Sequence, residues 1–426
     1  MRIGRAPRLR GDILVPGDKS ICHRAMILAA VSSGVSEIRN VPDGADCMST
    51  AECLGDLGAG VFLDGKTCRI RGGLSGSNRR LNAGNSGTTM RLLSGVLAWQ
   101  PFESSISGDE SLSSRPMGRI ARPLRRMGAD MMCSESMTAP LFFRPSRLRG
   151  AAIAQETPSA QVKSCVLLAG LGAEGITTYS ERVPTRDHLE RLLSYSGARI
   201  TSSRGSVSVE GGAPKRPFSI ELPGDFSSAA FIITAAVMSP DAVVTIRNVG
   251  LNPLRTGLLD ALLRMGADIT VANERLTPYG EPVGDVTAAS SRLTGTTAGP
   301  SETPSMIDEL PLLAVAGASA RGETVITGAA ELRKKETDRI RAMALGLSMM
   351  GAAVTELPDG LKISGGQPLR GARVSSMGDH RIAMALSVAA MSAGGGETEI
   401  EGGESAGISF PGFYETIRQI TRSQSC

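Results

Sequence analysis

Apolar positions along the chain fall into two kinds of segment, and both recur on a common beat. The first kind is rich in Ala and Leu and apolar nearly all round: RAMILAAVSSG, MRLLSGVLAW, CVLLAGLGAEG, FIITAAVMS, LPLLAVAGASARG and IAMALSVAAMSAGG. With no polar face left for water, these segments predict buried helices. A short strand-like stretch follows each: VSEIRNV, ESSIS, ITTYSE, VVTIRNV, ETVITG and ETEIEG. The second kind is amphipathic and closes on Gly-Ala: AECLGDLGAGV, RPLRRMGADM, RLLSYSGARI, ALLRMGADIT and GLSMMGAAVT. These predict helices that stop at Gly58, Gly128, Gly197, Gly266 and Gly351. The residue past a helix end often turns left-handed, where glycine has no Cβ to clash. FYETIRQITR predicts a sixth such helix, reaching the C-terminus before any glycine.

The unit is apolar helix, strand, loop, amphipathic helix, Gly-Ala, strand. It occurs six times with a period of about 70 residues, and the step from Gly266 to Gly351 is longer by about 15, which predicts an insertion. The stretches LVPGDKS and ELPGDFSS lie three periods apart, with Asp18 and Asp225 in equivalent places. They mark the starts of two domains of three units each, residues 15–225 and residues 1–14 plus 226–426. Residues 1–14 are expected to form a strand that joins the second domain, so that the chain passes between domains twice. Length agrees with this division, since single cores stop growing at roughly 250–300 residues.

Composition narrows the function. The net charge of +4 and an aromatic content of 3% give no basic coat and little to stack on nucleic-acid bases. The longest apolar runs are too short to span a bilayer, and the basic N-terminus leads into no apolar stretch of a leader. The chain has 7 Cys and 3 His. No cysteine pair has CxxC spacing, which predicts reduced thiols in the cytoplasm and no zinc site. No phosphate-loop or dinucleotide-binding fingerprint is present. The expectation is no cofactor and no metal, with neither nucleic acid nor membrane as partner, and a monomer.

Candidate chemistry gathers just ahead of the apolar helices, in PGDKSICHR, AGNSGTTMR, PSAQVKS, PGDFSS, PSMIDELP and MGDHR. Ser, Asn and Asp there are good helix caps. Lys19, Arg24, Lys163 and Arg381 need another reason, because a cation near a helix start opposes the macrodipole. A bound anion would relieve that conflict. Arg115 and Arg119 sit on the loop SGDESLSSRPMGR, and Lys334, Lys335, Glu336 and Arg339 on ELRKKETDRIR, where a solvated face with i,i+4 pairs is the competing account. Asp308 stands at the mouth of an apolar helix, as a general base or as a cap. The sequence therefore points to a ligand carrying several negative charges, held between two domains.

Taken together, GDKSxxHR, GNSGTTMR, RPMGR, SAQVKS, KKETDR and DHRIAM resemble the 3-phosphoshikimate 1-carboxyvinyltransferase (EPSP synthase) family, in its class II-like bacterial form. The resemblance implies an α/β fold, a two-domain inverse α/β barrel of six βαβαββ units (the enolpyruvyl transferase fold), with the active site in the interdomain cleft. It implies transfer of the enolpyruvyl group of phosphoenolpyruvate to the 5-hydroxyl of shikimate 3-phosphate, on the route to chorismate and aromatic amino acids. By position it implies that Lys19, Ser20, Arg24, Ser159, Ala160, Gln161, Arg186, Asp308 and Lys335 bind shikimate 3-phosphate. Lys19, Gly87, Arg115, Gln161, Lys335, Arg339 and Arg381 would bind phosphoenolpyruvate, with Thr88 beside Gly87. Asp308 would be the base, and Glu336 with Lys19 the acid, with His380 beside it. Glyphosate is the implied inhibitor.

Three positions depart from the family pattern. Glu331 stands where many members have Asn, Ala160 replaces a Ser, and Ile408–Ser409 occupy the place of a Lys, so that one phosphoenolpyruvate contact is either missing or supplied by Arg119 or Lys163. The nearest alternative, UDP-N-acetylglucosamine 1-carboxyvinyltransferase, carries a reactive Cys on the loop equivalent to 108–119, and none is present here. A non-catalytic anion-binding repeat protein would leave Asp308 and Glu336 without a task.

Overall fold

The computed structural model describes residues 1–422 except 78, 204 and 213–215. The six apolar runs form α1 (Lys19–Val31), α2 (Gly87–Leu97), α3 (Ala160–Gly170), α4 (Phe226–Met238), α5 (Leu310–Ser319) and α6 (His380–Ser392). Five of them start on a side-chain cap. Asp18, Ser86, Ser159, Asp225 and Asp379 each accept a backbone N–H from the first turn, which satisfies a donor that has no partner within the helix. All five Gly-Ala glycines take positive φ, from +86° at Gly197 to +99° at Gly128. That is the left-handed stop the pattern predicts.

Each repeat builds one small sheet. In the second, Leu81–Asn82 pairs parallel with Ser104–Ser107, which pairs antiparallel with Leu141–Phe143, itself antiparallel to Met131–Met132. The other sheets follow this order, except that the first, fourth and sixth repeats each take one strand from elsewhere in the chain. Ser219–Glu221 supplies the parallel edge strand of the first repeat, beside Val35–Arg39. Leu9–Ile13 supplies it for the fourth, beside Ala242–Gly250. The N-terminal strand is thus built into the second half. In the sixth repeat no hairpin follows the last helix, Phe413–Arg422, among the described residues. Arg2–Ile3 pairs antiparallel with Thr398–Glu401 instead.

Packing divides the chain into two units. The N-terminal unit is Gly17–Leu222 with Leu276–Glu281, and the C-terminal unit is Met1–Pro16, Pro223–Arg275 and Pro282–Cys426. Each has its own hydrophobic core, formed by its three apolar helices against the inner faces of its sheets. The short segment Leu276–Glu281 was not foreseen from the sequence. It is the tip of a hairpin whose strands, Asp268–Leu276 and Pro282–Ala289, run 9 and 8 residues. The equivalent strands of the first repeat, Gly60–Asp64 and Thr67–Arg71, run 5 each. Much of the insertion between Gly266 and Gly351 is spent on this hairpin. Among the described residues no helix is long and apolar enough to cross a membrane, and Cys22, Cys47, Cys53, Cys68, Cys133 and Cys165 are free thiols. Cys426 lies outside the described residues.

Candidate functional site

In the N-terminal unit the starts of α1, α2 and α3 bring most of the expected residues together. Arg24, one and a half turns into α1, is 2% exposed. Its Nε donates to Ser164 Oγ at 3.1 Å, and its Nη atoms donate to the carbonyls of Ser20 and Ala160 at 2.8 and 3.4 Å. Arg186 donates to Ser20 Oγ at 3.4 Å. Burial first, and then the neighbouring Arg186 guanidinium, lower the Arg24 pKa to about 10. Gln161 ties α2 to α3: Arg91 donates to its Oε1 at 2.6 Å, and its Nε2 donates to Thr88 Oγ1 at 2.9 Å. Arg115 donates to Asn85 Oδ1 at 2.8 Å. A Cβ built on Gly87 would lie 3.0 Å from Arg91 Nη1 and 3.4 Å from Arg115 Nη1, so glycine here leaves room for two guanidinium ends. Ser159 caps α3 through its hydroxyl, at 3.4 Å from Val162 N.

The structure corrects several expectations. Lys163 is not available to a ligand. It is 1% exposed, and its Nζ lies 2.9 Å from Glu181, 2.7 Å from Glu190 and 2.8 Å from the Thr185 carbonyl. Burial raises the Glu190 pKa, and Lys163 opposes that rise. Lys19 also has a protein anion, Asp46, at 2.7 Å. The chain itself thus relieves two of the cations placed against a helix dipole. Arg119 is not on a loop: it belongs to the helix Gly118–Arg126, which follows a short helix at Glu110–Ser113.

In the C-terminal unit the starts of α5 and α6 meet the segment 331–339. Asp308 is not a cap. The cap position of α5 is Glu309, which makes no side-chain cap bond. Asp308 Oδ1 instead lies 3.4 Å from Lys335 Nζ, 3.6 Å from Arg339 Nη1 and 3.9 Å from Arg381 Nε, with Arg255 Nη1 at 4.0 Å from Oδ2. Glu336 pairs with Arg339 at 2.6 Å, and Arg339 Nε with Asp379 at 2.7 Å. Burial alone would lower the Arg339 pKa, but Asp379 and Glu336 outweigh it and the net shift is upward. Arg381 donates to Ser227 Oγ at 3.0 Å, to the Asp308 carbonyl at 3.1 Å and to Glu309 at 3.4 Å. His380 opens α6. Glu331 lies in a 3-10 turn, Ala330–Lys334, and Lys334 is exposed. A solvated face therefore describes Lys334 but not Lys335, Glu336 or Arg339.

Sequence reasoning missed Arg255 and Glu309. Both are buried, with Arg255 Nη1 at 3.0 Å from each Glu309 oxygen, and both also bond Ser227. It also missed Asp46, and His188, whose Nδ1 meets Glu281 at 2.7 Å. Glu309 stands beside Asp308 in PSMIDELP and the others lie in stretches without a motif, and only the tertiary pairing gives them partners.

The model of the family described as EPSP synthase (3-phosphoshikimate 1-carboxyvinyltransferase) matches residues 4–417. A 3-phosphoshikimate 1-carboxyvinyltransferase of Pelotomaculum thermopropionicum is 46% identical over 99% of this chain and 98% of its own. One from Synechococcus elongatus is 48% identical, covering 97% and 94%. The EPSP synthase structure from Acinetobacter baumannii superposes with a TM-score of 0.87 at 40% identity, covering 98% of this chain and 97% of that one. The enolpyruvyl transferase NikO from Streptomyces tendae shares the fold, with a TM-score of 0.81 at 20% identity. The fold is accordingly that of the enolpyruvyl transferases, and this chain belongs to the EPSP synthase family.

Proposed function

We propose that the protein is a 3-phosphoshikimate 1-carboxyvinyltransferase. It transfers the enolpyruvyl group of phosphoenolpyruvate to the 5-hydroxyl of shikimate 3-phosphate and releases phosphate. The observation that carries this reading is Asp308, a carboxylate that caps no helix and stands among Lys335, Arg339, Arg381 and Arg255. Such a group has no structural duty at its helix and is placed where anionic substrates need cations. A binding protein needs the cations but not the acid.

The chemistry divides between acid and base. Glu336, helped by Lys19, gives a proton to the methylene carbon of phosphoenolpyruvate, and positive charge develops at the adjacent carbon. Asp308 takes the proton of the 5-hydroxyl as its oxygen bonds to that carbon. The tetrahedral adduct then returns a methyl proton to the Glu336 carboxylate as phosphate leaves, restoring the double bond and the acid. A positioned acid and base lower both barriers, and fixed cations stabilise the departing phosphate. Lys19, Ser20, Arg24, Ser159, Ala160, Gln161, Arg186 and Lys335 hold shikimate 3-phosphate in this reading. Gly87, Arg115, Gln161, Arg339 and Arg381 hold phosphoenolpyruvate, with Lys19 and Lys335 touching both. Glyphosate competes with phosphoenolpyruvate, and the protein acts as a cytoplasmic monomer.

Phosphate release from phosphoenolpyruvate is the test. Release is expected with shikimate 3-phosphate as acceptor and not with UDP-N-acetylglucosamine. Turnover of the nucleotide sugar, or of neither acceptor, overturns the assignment.

A further inference from the structure

A cavity opens in the N-terminal unit, lined by none of Arg24, Arg186 and Lys19. It has a volume of about 240 Å3 and lies between the helix Gly118–Arg126, the start of α3 and the strands Ala152–Ala154 and Ile176–Ser180. Arg119, Arg122 and Arg126 all line it. Spaced three and four apart, they share one face of their helix. The floor is apolar, with Ile153 and Val162 contributing.

Tyr179 also lines this cavity, although it is only 1% exposed. Among the described residues its hydroxyl makes no hydrogen bond, whereas the other buried tyrosine, Tyr279, donates to the Glu221 carbonyl at 3.0 Å. The hydroxyl oxygen is open to the cavity rather than sealed in the core, so a ligand there can take its hydrogen bond. Burial, then the carboxylates of Glu181 and Glu156, raise the Tyr179 pKa, so the hydroxyl stays a donor at neutral pH. Glu156 pairs with Arg122 at 3.4 Å, but both side chains are largely exposed. Such a pair contributes little to stability and gives way readily to another anion.

We propose that this cavity is a binding site for a small ring-bearing anion, sharing only Ser159 with the residues assigned to the substrates. The ring would lie on Ile153 and Val162, its carboxylate or phosphate would meet the arginine face, and Tyr179 would donate a hydrogen bond to it. Arginine forks suit either head group. Ser159 borders the cavity as well as capping α3, so an occupant would touch a residue assigned to shikimate 3-phosphate. The proposal does not depend on that assignment.

Benzoate and phenyl phosphate serve as probes, with inorganic phosphate as control, titrated calorimetrically into the full-length protein with and without shikimate 3-phosphate. One ring-bearing probe should bind saturably at millimolar concentration or below, tighter than inorganic phosphate. The stronger of the two identifies the head group. The double substitution Arg122→Ala/Arg126→Ala, at exposed positions, should weaken binding roughly tenfold or more, and Tyr179→Phe should weaken it several-fold. Tyr179→Phe should leave the melting temperature of the free protein unchanged or higher, since no internal hydrogen bond is lost. Failure of both probes to saturate, or affinity equal to that of inorganic phosphate, overturns the proposal. So does binding that is indifferent to the double substitution and abolished by shikimate 3-phosphate, which would place the probe among the substrate residues.

Discussion

Arg24 in the N-terminal unit and Arg381 in the C-terminal unit are almost equally hidden from water, at 2% and 6% exposed, yet they are held by opposite kinds of partner. Every hydrogen-bond acceptor of Arg24 is a neutral oxygen, from Ser164, Ser20 and Ala160. Arg381 reaches the Glu309 carboxylate and stands beside Asp308, within a set where Arg255, Arg339 and Lys335 alternate with Glu309, Asp379, Asp308 and Glu336. A buried charge whose hydrogen bonds all go to neutral oxygens costs free energy until an anion arrives, a cost that the more distant carboxylates of Glu190, Asp18 and Glu281 offset only in part. The lowered pKa of Arg24 is a sign of that cost. The first arrangement therefore suits anion capture. The second, already balanced by the protein, can place an acid and a base without drifting toward whichever charge lies nearest.

The strongest way to break this comparison is Asp308→Asn. If the C-terminal set performs proton transfer, kcat should fall by roughly 10²–10⁴, while the affinity for shikimate 3-phosphate measured by titration changes far less. Because Asp308 caps no helix, little stability should be lost with it. A near-normal kcat would remove the distinction between the two sets. Next in size is Lys163→Ala. Lys163 is the balanced cation of the N-terminal unit, and its loss strands Glu190 and Glu181. Denaturant unfolding should show about 3–5 kcal/mol of destabilisation, which a change at an anion-binding lysine would not give. Arg24→Lys should be milder, keeping the charge and losing the fork. The KM for shikimate 3-phosphate should rise roughly tenfold, with kcat within a few-fold. If kcat falls and KM stays, capture is not what Arg24 does.

The smallest effect expected is that of Gly87→Ala. The added methyl group presses on the ends of Arg91 and Arg115 at 3.0 and 3.4 Å, and flexible side-chain ends can yield by a few tenths of an ångström. The KM for phosphoenolpyruvate should rise modestly, and the inhibition constant for the longer glyphosate should rise more. Equal changes in the two constants would rule out a steric distinction between them.

Much of the fold was legible because its signals are local. A left-handed glycine after an amphipathic run, or an Asp or Ser before an apolar one, carries its meaning within a few residues, and six repeats multiply it. The site was less legible wherever the partner is remote. Lys163 looks like Lys19 in the sequence, each a cation near the start of an apolar helix. Only the fold brings Glu181 and Glu190 to one and Asp46 to the other. Asp308 reads as a cap because it precedes α5, but an intervening turn moves the cap position to Glu309. Arg255 and Glu309 lie in separate segments with no motif between them, so the pair they form left no trace. The extra length after Gly266 was visible as a number, while its use in the hairpin tip, where Glu281 meets His188, was not.

The edge strands have a consequence for how the protein is made. Leu9–Ile13 leaves the ribosome long before its partner, Ala242–Gly250. Until that stretch emerges, an exposed strand edge must wait through the synthesis of the entire N-terminal unit. Unpaired edges invite association with other nascent chains. The waiting strand contains Arg10 and Asp12, and Arg8 precedes it. In the finished protein they pair with Asp241 and Arg247, and during translation they keep an otherwise adhesive edge hydrated. The N-terminal unit is spared this wait only from Glu221 onward, when its own closing strand, Ser219–Glu221, is complete. The sheets of the first half can thus close early on the ribosome, with the Leu276–Glu281 tip still to follow, while the second must await its last helix with its first strand already made.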